Sequence, residues 1–242
     1  ALIVAPIVVS QELQGAVMLF RDITQEKDVD RAKTEFVSLA SHQLRTPIAG
    51  IKWSTDILRK EERGTLNPDQ KDLMEKTFHA AEHMAELVND LLDASRIEEG
   101  RYGYSFKTDA VVPLVEKIAQ NLKPNAQSRA LNYAFEPPAE SLPPIGFDAD
   151  KLGLAIQNVI DNAIKYTLPR GTVRIKLRQE KSSLFIIVED TGIGIPERNK
   201  KFIFNKFFRG ENAVRHQTEG SGLGLYIAKS IVEKHNGAIS FE

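Results

Sequence analysis

Hydrophobic and polar positions along the chain change their period near residue 100. Before that point, two β-prone runs at 1–9 and 14–20 give way to a long stretch in which apolar residues recur every three or four positions. That spacing puts apolar side chains on one face of a helix, whereas alternation puts them on one face of a strand. We therefore predict two strands, then a helical region, then a domain of alternating strands and helices.

The helical region divides into two helices at Gly64 and Asn67-Pro68. Glycine ends a helix readily, asparagine caps the next one, and proline fits its first position. The second helix has an apolar seam with the spacing of a coiled coil, made of Leu73, Thr77, Ala80, Met84, Leu87, Leu91 and Ala94. Because one narrow seam buries little in a single hairpin, we predict a homodimeric four-helix bundle. A monomeric hairpin packed on the C-terminal domain is the alternative.

The first helix carries one histidine, His42, on the side that its apolar residues leave free. The apolar stripe consists of Phe36, Ala40, Leu44, Ile48 and Ile51. His42 projects about 160° from the middle of this stripe, and Thr46 follows it one turn later on the same side. Pro47 removes a backbone donor in mid-helix and favours a local bend. Taken alone, an exposed histidine such as His42 is more often an ordinary solvated surface residue.

The pattern after residue 100 predicts an α/β sandwich. Its expected elements are a strand near 104–107, a helix near 110–124, a strand at 131–135, a helix at 149–166 and strands at 172–179 and 183–189. The full fold class is therefore multidomain α and α+β, in which a dimeric four-helix-bundle hairpin precedes the sandwich.

The amino-acid composition excludes several classes of function. The chain has 242 residues, of which 42% are hydrophobic and 27% charged, and its formal net charge is -1. Because the charges are interspersed, no basic surface is indicated and we expect no nucleic-acid partner. The absence of cysteine excludes disulfides, thiolate zinc sites and thiol catalysis. The apolar run at 1–9 is too short to cross a bilayer, so we expect this chain to be cytoplasmic, with membrane attachment only through upstream segments.

Polar side chains share one face of the helix predicted at 149–166. Asn158, Asn162 and Lys165 follow one another at spacings of four and three. An asparagine oxygen is a hard ligand suited to Mg²⁺, and a lysine beside it can contact phosphate oxygens. The face therefore fits a nucleotide and metal site, although a solvent-facing polar surface would have the same pattern.

Two glycine-rich loops follow. Asp190-Thr191-Gly192-Ile193-Gly194 ends a β-prone run, where an acid can accept a proton from an amino group and glycines allow a close approach. Gly220-Ser221-Gly222-Leu223-Gly224 opens a helix, whose free backbone amides can cradle phosphate. Neither loop has the context of a Rossmann or Walker motif. Between them, four phenylalanines at 202–208 and the polar stretch 210–219 indicate a hinged lid, with core packing of the phenylalanines as the alternative.

Five blocks in this order resemble the sensor histidine kinases of two-component signalling over residues 25–242. S-H-Q-L-R-T-P resembles the family's phosphoacceptor box, N-V-I-D-N-A-I-K-Y-T its N box, D-T-G-I-G-I-P its G1 box, F-N-K-F-F-R-G its F box and G-S-G-L-G-L its G2 box. The resemblance implies a phosphoacceptor and dimerisation domain at 25–99 and a Bergerat-type ATP-binding domain at 100–242. Residues 1–24 resemble the last strands of a PAS sensor domain, with a plain hairpin as the alternative.

The resemblance also implies the reaction and its residues. ATP would phosphorylate His42, which would pass the phosphoryl group to an aspartate in the receiver domain of a response regulator. Asn162 resembles the Mg²⁺ ligand, and Thr46 the residue that positions water for dephosphorylation of the regulator. The implied nucleotide contacts are Asn158, Asn162, Lys165, Tyr166, Asp190, Gly192, Gly194, Arg209, Gly220, Gly222, Leu223 and Gly224.

Two positions depart from the family pattern. Gln43 stands where the family has an acid, and an amide cannot take a proton at neutral pH, so we expect an active but weakened kinase. The alternatives are a non-catalytic ATP-sensing dimer and an ATP-hydrolysing clamp of the gyrase type. The family also continues past a strand like 238–241, so we expect the C-terminal sheet of this chain to be short.

Overall fold

The computed structural model describes residues 2–9, 12–20, 41, 43–58, 67–181, 183–217 and 220–242. The predicted order of a helical hairpin and then a mixed α/β domain is confirmed. Within the described ranges, no helix is both long and apolar enough to cross a membrane.

The first two strands form an antiparallel hairpin. β1 (Leu2–Val9) pairs with β2 (Glu12–Phe20), and the register shifts between Ile7 and Val8. The second strand begins two residues earlier than the sequence indicated. A two-stranded hairpin is compatible with both interpretations of this segment, so its relation to a PAS domain stays a prediction.

Two antiparallel helices follow the hairpin. The helical residues 43–58 (α1) lie against α2 (Pro68–Glu98), whose start has the predicted cap: the Asn67 side chain accepts from the Gln70 N–H, and the Gln70 side chain accepts from the Asn67 N–H. Ile48 is buried among Ala81, Val88 and Leu92. Polar contacts fix the register of the helices, since Arg45 donates to Asn89 Oδ1 at 2.8 Å and Lys52 pairs with Glu82 at 2.9 Å.

The faces with which α1 and α2 contact each other differ from the predicted apolar seams. On α2 the residues buried against α1 include Ala81, Val88 and Leu92, whereas Leu73 is 67% exposed and Met84 46% exposed. On α1, Ile48 is buried as expected, but Leu44 and Ile51 are exposed; Phe36 and Ala40 lie outside the described residues. One partner helix covers only one side of each apolar surface, so no residue that the structure describes covers the N-terminal half of the predicted seam of α2.

A three-stranded sheet and two helices make the core of the second domain. The elements are α3 (Val111–Ser128), β4 (Asn132–Glu136), α4 (Ala149–Tyr166), β6 (Thr172–Glu180) and β7 (Ser183–Asp190). The sheet order is β4-β6-β7, with β4 parallel and β7 antiparallel to β6. Val173, Ile175 and Leu177 of β6 face the helices and are buried, whereas Arg174 and Lys176 face outward and pair with glutamates. This alternation produces a two-layer sandwich.

Several predicted boundaries were wrong. The strand expected at 104–107 is β3 (Lys107–Asp109), which pairs with an unpredicted strand β5 (Ile145–Phe147). Three-residue strands depend on each other for their hydrogen bonds, so neither has a strong local pattern. α3 continues past Pro124, because Ala126 extends its buried face. Residues 238–241 form no strand with the described strands.

The last helix, α6 (Gly224–Lys234), lies between α4 and α2. Leu223, Ile227 and Ile231 are fully buried in a second core cluster. Ala155 of α4 and Ala94 of α2 belong to the same cluster. The sandwich is therefore packed directly on the C-terminal part of α2, and α6 carries this contact.

Candidate active site

Helix α4 carries the polar face of the candidate site, and contacts at its N-terminus fix its position. Asp148 caps this helix: one carboxylate oxygen accepts from the Lys151 N–H at 2.9 Å, and the other accepts from the Ser105 N–H at 2.6 Å. The Asp148 backbone N–H donates to His235 Nε2 at 3.0 Å, which ties α4 to the end of α6. Burial alone would raise the pKa of Asp148, but these backbone amides and the Lys151 ammonium outweigh it, so its pKa is lowered.

The polar face of α4 meets the second glycine loop at Asn158. A Cβ on Gly224 would lie 3.4 Å from Asn158 Oδ1, so the two residues are in direct contact. Asn158 Nδ2 is buried and has no hydrogen-bond partner among the residues that the structure describes. An unsatisfied buried amide needs an acceptor, and a phosphate oxygen or water would provide it. Asn162 lies one turn later and is half-buried, and Lys165 after it is exposed.

The first glycine loop packs on the C-terminal end of α4. The Ile193 N–H donates to the Tyr166 carbonyl at 3.1 Å, and a Cβ on Gly192 would lie only 2.5 Å from the same oxygen. Asp190 is exposed at the end of β7, and its Oδ1 accepts from the Gly192 N–H at 2.8 Å. One carboxylate oxygen thus shapes the turn, and the other is available to a ligand.

The second glycine loop packs on the aromatic segment. Gly222 has φ +68°, and a Cβ there would lie 2.8 Å from the backbone carbon of Phe207, so both conformation and space demand glycine. The Arg209 guanidinium donates to the carbonyls of Gln217 and Gly220, and it therefore holds the entrance of this loop. α6 begins after Leu223 with no side-chain cap, which leaves its first amides for a ligand.

The segment between the two loops is not a uniformly polar strip. A 3₁₀ helix (Glu197–Phe202) precedes the phenylalanines, and a short helix α5 (Glu211–His216) lies within the predicted lid. Asn212 donates to the Gly194 carbonyl at 3.0 Å, which places α5 over the first glycine loop. Phe202 and Phe207 are 38% and 63% exposed, so the alternative of core packing was wrong for these two of the four phenylalanines.

The phosphoacceptor segment lies on α1. His42 itself is outside the described residues. Its neighbour Ser41 is buried. The side chains of Gln43 and Thr46 are exposed, so both can reach a ligand or a partner. Their chemical roles stay predictions.

The residues present fit a nucleotide with a divalent cation. The described residues contain no group of three or more His, Cys, Asp or Glu side chains placed to bind a metal. Mg²⁺ bound to a triphosphate needs only one or two protein ligands, because phosphate and water complete its shell. The amide oxygen of Asn162 is suited to that role.

Sequence reasoning missed two residues at the edge of this site, Asp90 of α2 and Tyr102 after it. Asp90 contacts Ser221 of the second glycine loop, and Tyr102 is buried against the Lys151 ammonium, which lies 3.8 Å from its ring centre. Both contacts join α2 to the sandwich. Neither has a local signal, since each partner is distant in the chain.

Comparisons with known proteins agree with this architecture. A family model of the His Kinase A (phospho-acceptor) domain matches residues 32–100, and a model of the histidine kinase-, DNA gyrase B- and HSP90-like ATPase matches residues 147–242. Drug sensory protein A of Synechocystis sp. is 34% identical and the alginate biosynthesis sensor protein KinB of Pseudomonas aeruginosa 30% identical, over 95% and 93% of this chain. The chain spans only 36% and 37% of the length of these relatives.

A solved structure is similar in fold to most of this chain. Full-length ShkA in complex with AMPPNP matches 82% of this chain and 40% of its own chain, with a TM-score of 0.64 and 25% sequence identity. The phosphoacceptor helices and the ATPase sandwich together define a sensor histidine kinase. The chain belongs to this family of ATP-dependent enzymes.

Proposed function

We propose that this chain autophosphorylates on His42 from ATP and passes the phosphoryl group to an aspartate of a response regulator. One observation carries the proposal: the polar face of α4 converges with both glycine loops, through Asn158 at Gly224 and Tyr166 at Gly192. The buried and unsatisfied Asn158 Nδ2 needs an acceptor at this point of convergence. The phosphate oxygens of a nucleoside triphosphate can accept this hydrogen bond.

The transfer is a displacement at the γ-phosphorus of ATP. A lone pair on one imidazole nitrogen of His42 forms the N–P bond while the P–O bond to the β-phosphate breaks and ADP leaves. The proton on the other ring nitrogen is then released from the imidazolium. Gln43 can accept a hydrogen bond from that N–H but cannot take its proton, so it orients the ring and the proton goes to solvent. A weakened kinase follows from this limitation.

The chain's own residues would bind and orient the nucleotide. Asp190 would accept a hydrogen bond from an amino group of the base, and Lys165 would contact phosphate. The uncapped amides at the start of α6 would face phosphate oxygens. Asn162 would hold Mg²⁺, which neutralises charge on the triphosphate when bound.

The unpaired apolar surface of the hairpin supports a homodimer. Trp53 on α1 is 68% exposed, and Leu73 and Met84 on α2 are 67% and 46% exposed. A second hairpin would cover these side chains and complete a four-helix bundle. Sedimentation equilibrium should give a dimer at micromolar concentration. Leu73→Glu should yield monomers, whereas Lys71→Glu, at an exposed polar position, should not; a wild-type monomer well above micromolar concentration contradicts the proposal.

A regulator phosphatase activity is a second function, supported by the exposed Thr46 hydroxyl one turn after His42. A hydroxyl at this position can hold water beside a phosphoaspartate of a docked regulator. Thr46→Ala should slow dephosphorylation of the regulator and spare autophosphorylation. An equal loss of both activities would mean that Thr46 only supports the helix.

The kinase proposal is tested by the chemistry of the label. The chain, incubated with γ-labelled ATP and Mg²⁺, should acquire a label that acid removes and alkali does not. Steady phosphate release with no protein-bound label would support the ATP-hydrolysing clamp instead. ATP binding with neither product would support the non-catalytic sensor.

A further inference from the structure

A direct hydrogen bond links the phosphoacceptor hairpin to the second glycine loop. The Ser221 hydroxyl donates to Asp90 Oδ2 at 2.7 Å, across 131 positions of sequence. The same hydroxyl accepts from the Leu223 N–H at 3.1 Å. Ser221 therefore has both its donor and an acceptor site engaged, and the conformation of the loop is coupled to the position of α2.

Asp90 also lies within the electrostatic reach of Lys165, the lysine on the polar face of α4. Burial raises the pKa of Asp90, the Ser221 hydrogen bond lowers it, the carboxylates of Glu86 and Asp93 raise it, and Lys165 lowers it. The pKa of Asp161 on α4 is raised by burial, and Lys165 opposes this shift while Glu86 adds to it. The side of α2 that faces the site is therefore acidic, because Glu86, Asp90 and Asp93 all lie on it.

Other contacts hold α2 in this arrangement. Leu91 and Ile97 pack on the apolar cluster formed by α6, and Lys206 pairs with Glu98 at the end of α2. Tyr102 adds the contact with Lys151 on α4. The placement of Asp90 beside Ser221 is thus part of a docked interface and not an isolated surface contact.

We propose that Asp90 is an intramolecular competitor of nucleoside triphosphate. In the docked arrangement its carboxylate accepts a hydrogen bond from the Ser221 hydroxyl and interacts electrostatically with Lys165. Both residues line the nucleotide site of the proposed function, on which this inference rests. A triphosphate brings several negative charges to the same place and is repelled by Asp90 and Glu86. Nucleotide binding and the docking of α2 therefore oppose each other.

Opposition between two binding events is reciprocal. If docked α2 lowers nucleotide affinity by some factor, bound nucleotide weakens α2 docking by the same factor. Competition between Asp90 and nucleotide therefore releases the sandwich from α2 when ATP binds, and the released domain is free to approach His42. It also keeps the empty domain held against the hairpin.

The first test measures affinity for AMPPNP with Mg²⁺ by titration calorimetry on the full chain. Asp90→Asn keeps the shape and removes the charge, and it should tighten binding about fivefold or more, the lower end of ordinary couplings between sites. Asp72→Asn is the matched control, because Asp72 is an exposed α2 aspartate paired with Lys76. Its affinity should equal that of the wild type.

The outcomes separate this inference from the proposed function. Equal or weaker AMPPNP binding by Asp90→Asn overturns the competition and leaves the ATP site intact. Absence of binding in every protein, including the wild type, overturns the ATP site and the inference with it. Equal tightening by Asp72→Asn would show a general charge effect and would also overturn the inference.

A second measurement follows the docking of α2 directly and leaves Asp90 and Ser221 in place. The chain has no cysteine, so Glu98→Cys with Lys206→Cys introduces a unique pair at two positions that are in contact in the docked arrangement. A short thiol-specific crosslinker should join the two positions in the free protein, and saturating AMPPNP with Mg²⁺ should slow the reaction about fivefold or more. An unchanged crosslinking rate with nucleotide bound overturns the proposal.

Discussion

The Asp190 carboxylate and the Gly192 backbone N–H are joined by a 2.8 Å hydrogen bond that closes the first glycine loop against α4. A methyl group at Gly192 would meet the Tyr166 carbonyl at 2.5 Å, and backbone atoms cannot move aside cheaply. Gly192→Ala should therefore displace the loop and weaken ATP binding by about tenfold or more, equivalent to about 1.4 kcal/mol. Equilibrium binding of ATP measures the effect.

The chain offers a matched control for this glycine. Gly50 lies within helix α1, and a Cβ there has nothing within 4 Å. Gly50→Ala should leave ATP affinity unchanged and raise the free energy of unfolding by about 0.5–1 kcal/mol, since alanine favours helix. Wild-type ATP affinity in Gly192→Ala would mean that the loop does not border the nucleotide.

Asp148 should contribute to stability in a pH-dependent way. Its pKa in the folded state is lowered from the ordinary value of 3.8, so its contribution is present above that value and is lost as the pH falls through the folded-state pKa. Asp148→Ala should lower the free energy of unfolding by about 0.5–2 kcal/mol at neutral pH through loss of the cap. Asp148→Asn retains a cap and should lose less.

Denaturant unfolding of the three proteins at several pH values makes the comparison. The difference between wild type and Asp148→Asn should shrink in acid, because the wild-type carboxyl becomes neutral as well. A difference that stays constant from neutral pH to below the folded-state pKa would show that charge is not the source of the stabilisation.

Tyr102 links α2 to α4, because burial and the nearby Asp93 carboxylate of α2 raise the pKa of its hydroxyl and the Lys151 ammonium of α4 lies 3.8 Å from its ring centre. Tyr102→Phe removes only the hydroxyl and should cost about 0.5–1.5 kcal/mol. Tyr102→Ala also removes the buried ring and should cost about 3–5 kcal/mol. Chemical denaturation gives both values, and equal losses in the two variants would show that the ring contact contributes nothing.

Gln43→Glu tests whether a proton acceptor is missing beside His42. General-base assistance is worth ~10²–10⁴ in rate, so the variant should autophosphorylate faster by about tenfold or more in a single turnover. ATP affinity should not change, because Gln43 is on the hairpin and not on α4 or the loops. An unchanged single-turnover rate would mean that a proton acceptor at position 43 does not accelerate autophosphorylation, and that the expectation of a weakened kinase is wrong.

Local patterns predicted much of the fold. The helix at 149–166 and the cap at Asn67 agree with the structure, because periodicity and capping depend on residues within a few positions of each other. The three-residue strand β5 has no such pattern, because its hydrogen bonds come from β3, which lies 36 residues or more before it. The face of α2 that packs on α1 also escaped prediction, since two apolar faces were available and the choice depends on the partner.

The residues of the candidate site also fall into two groups, those with a local sequence signal and those without one. Asn158, Asp190 and the glycines belong to short motifs whose spacing has a chemical meaning, so the sequence was enough to single them out as candidates. Asp90 is an ordinary acid on a helix until Ser221 is brought to it from 131 positions away. Contacts of that kind depend on how the two domains pack, which no local pattern contains.

Loss of the phosphoryl label on substitution of one histidine tests the central claim most directly. The wild type, His42→Gln and His79→Gln are each incubated with γ-labelled ATP and Mg²⁺, and ATP affinity is measured in parallel. His79 is an exposed α2 histidine beside Glu75 and Glu82, which makes it the matched control. We predict an acid-labile label on wild type and His79→Gln and none on His42→Gln. An undiminished label on His42→Gln would contradict the account.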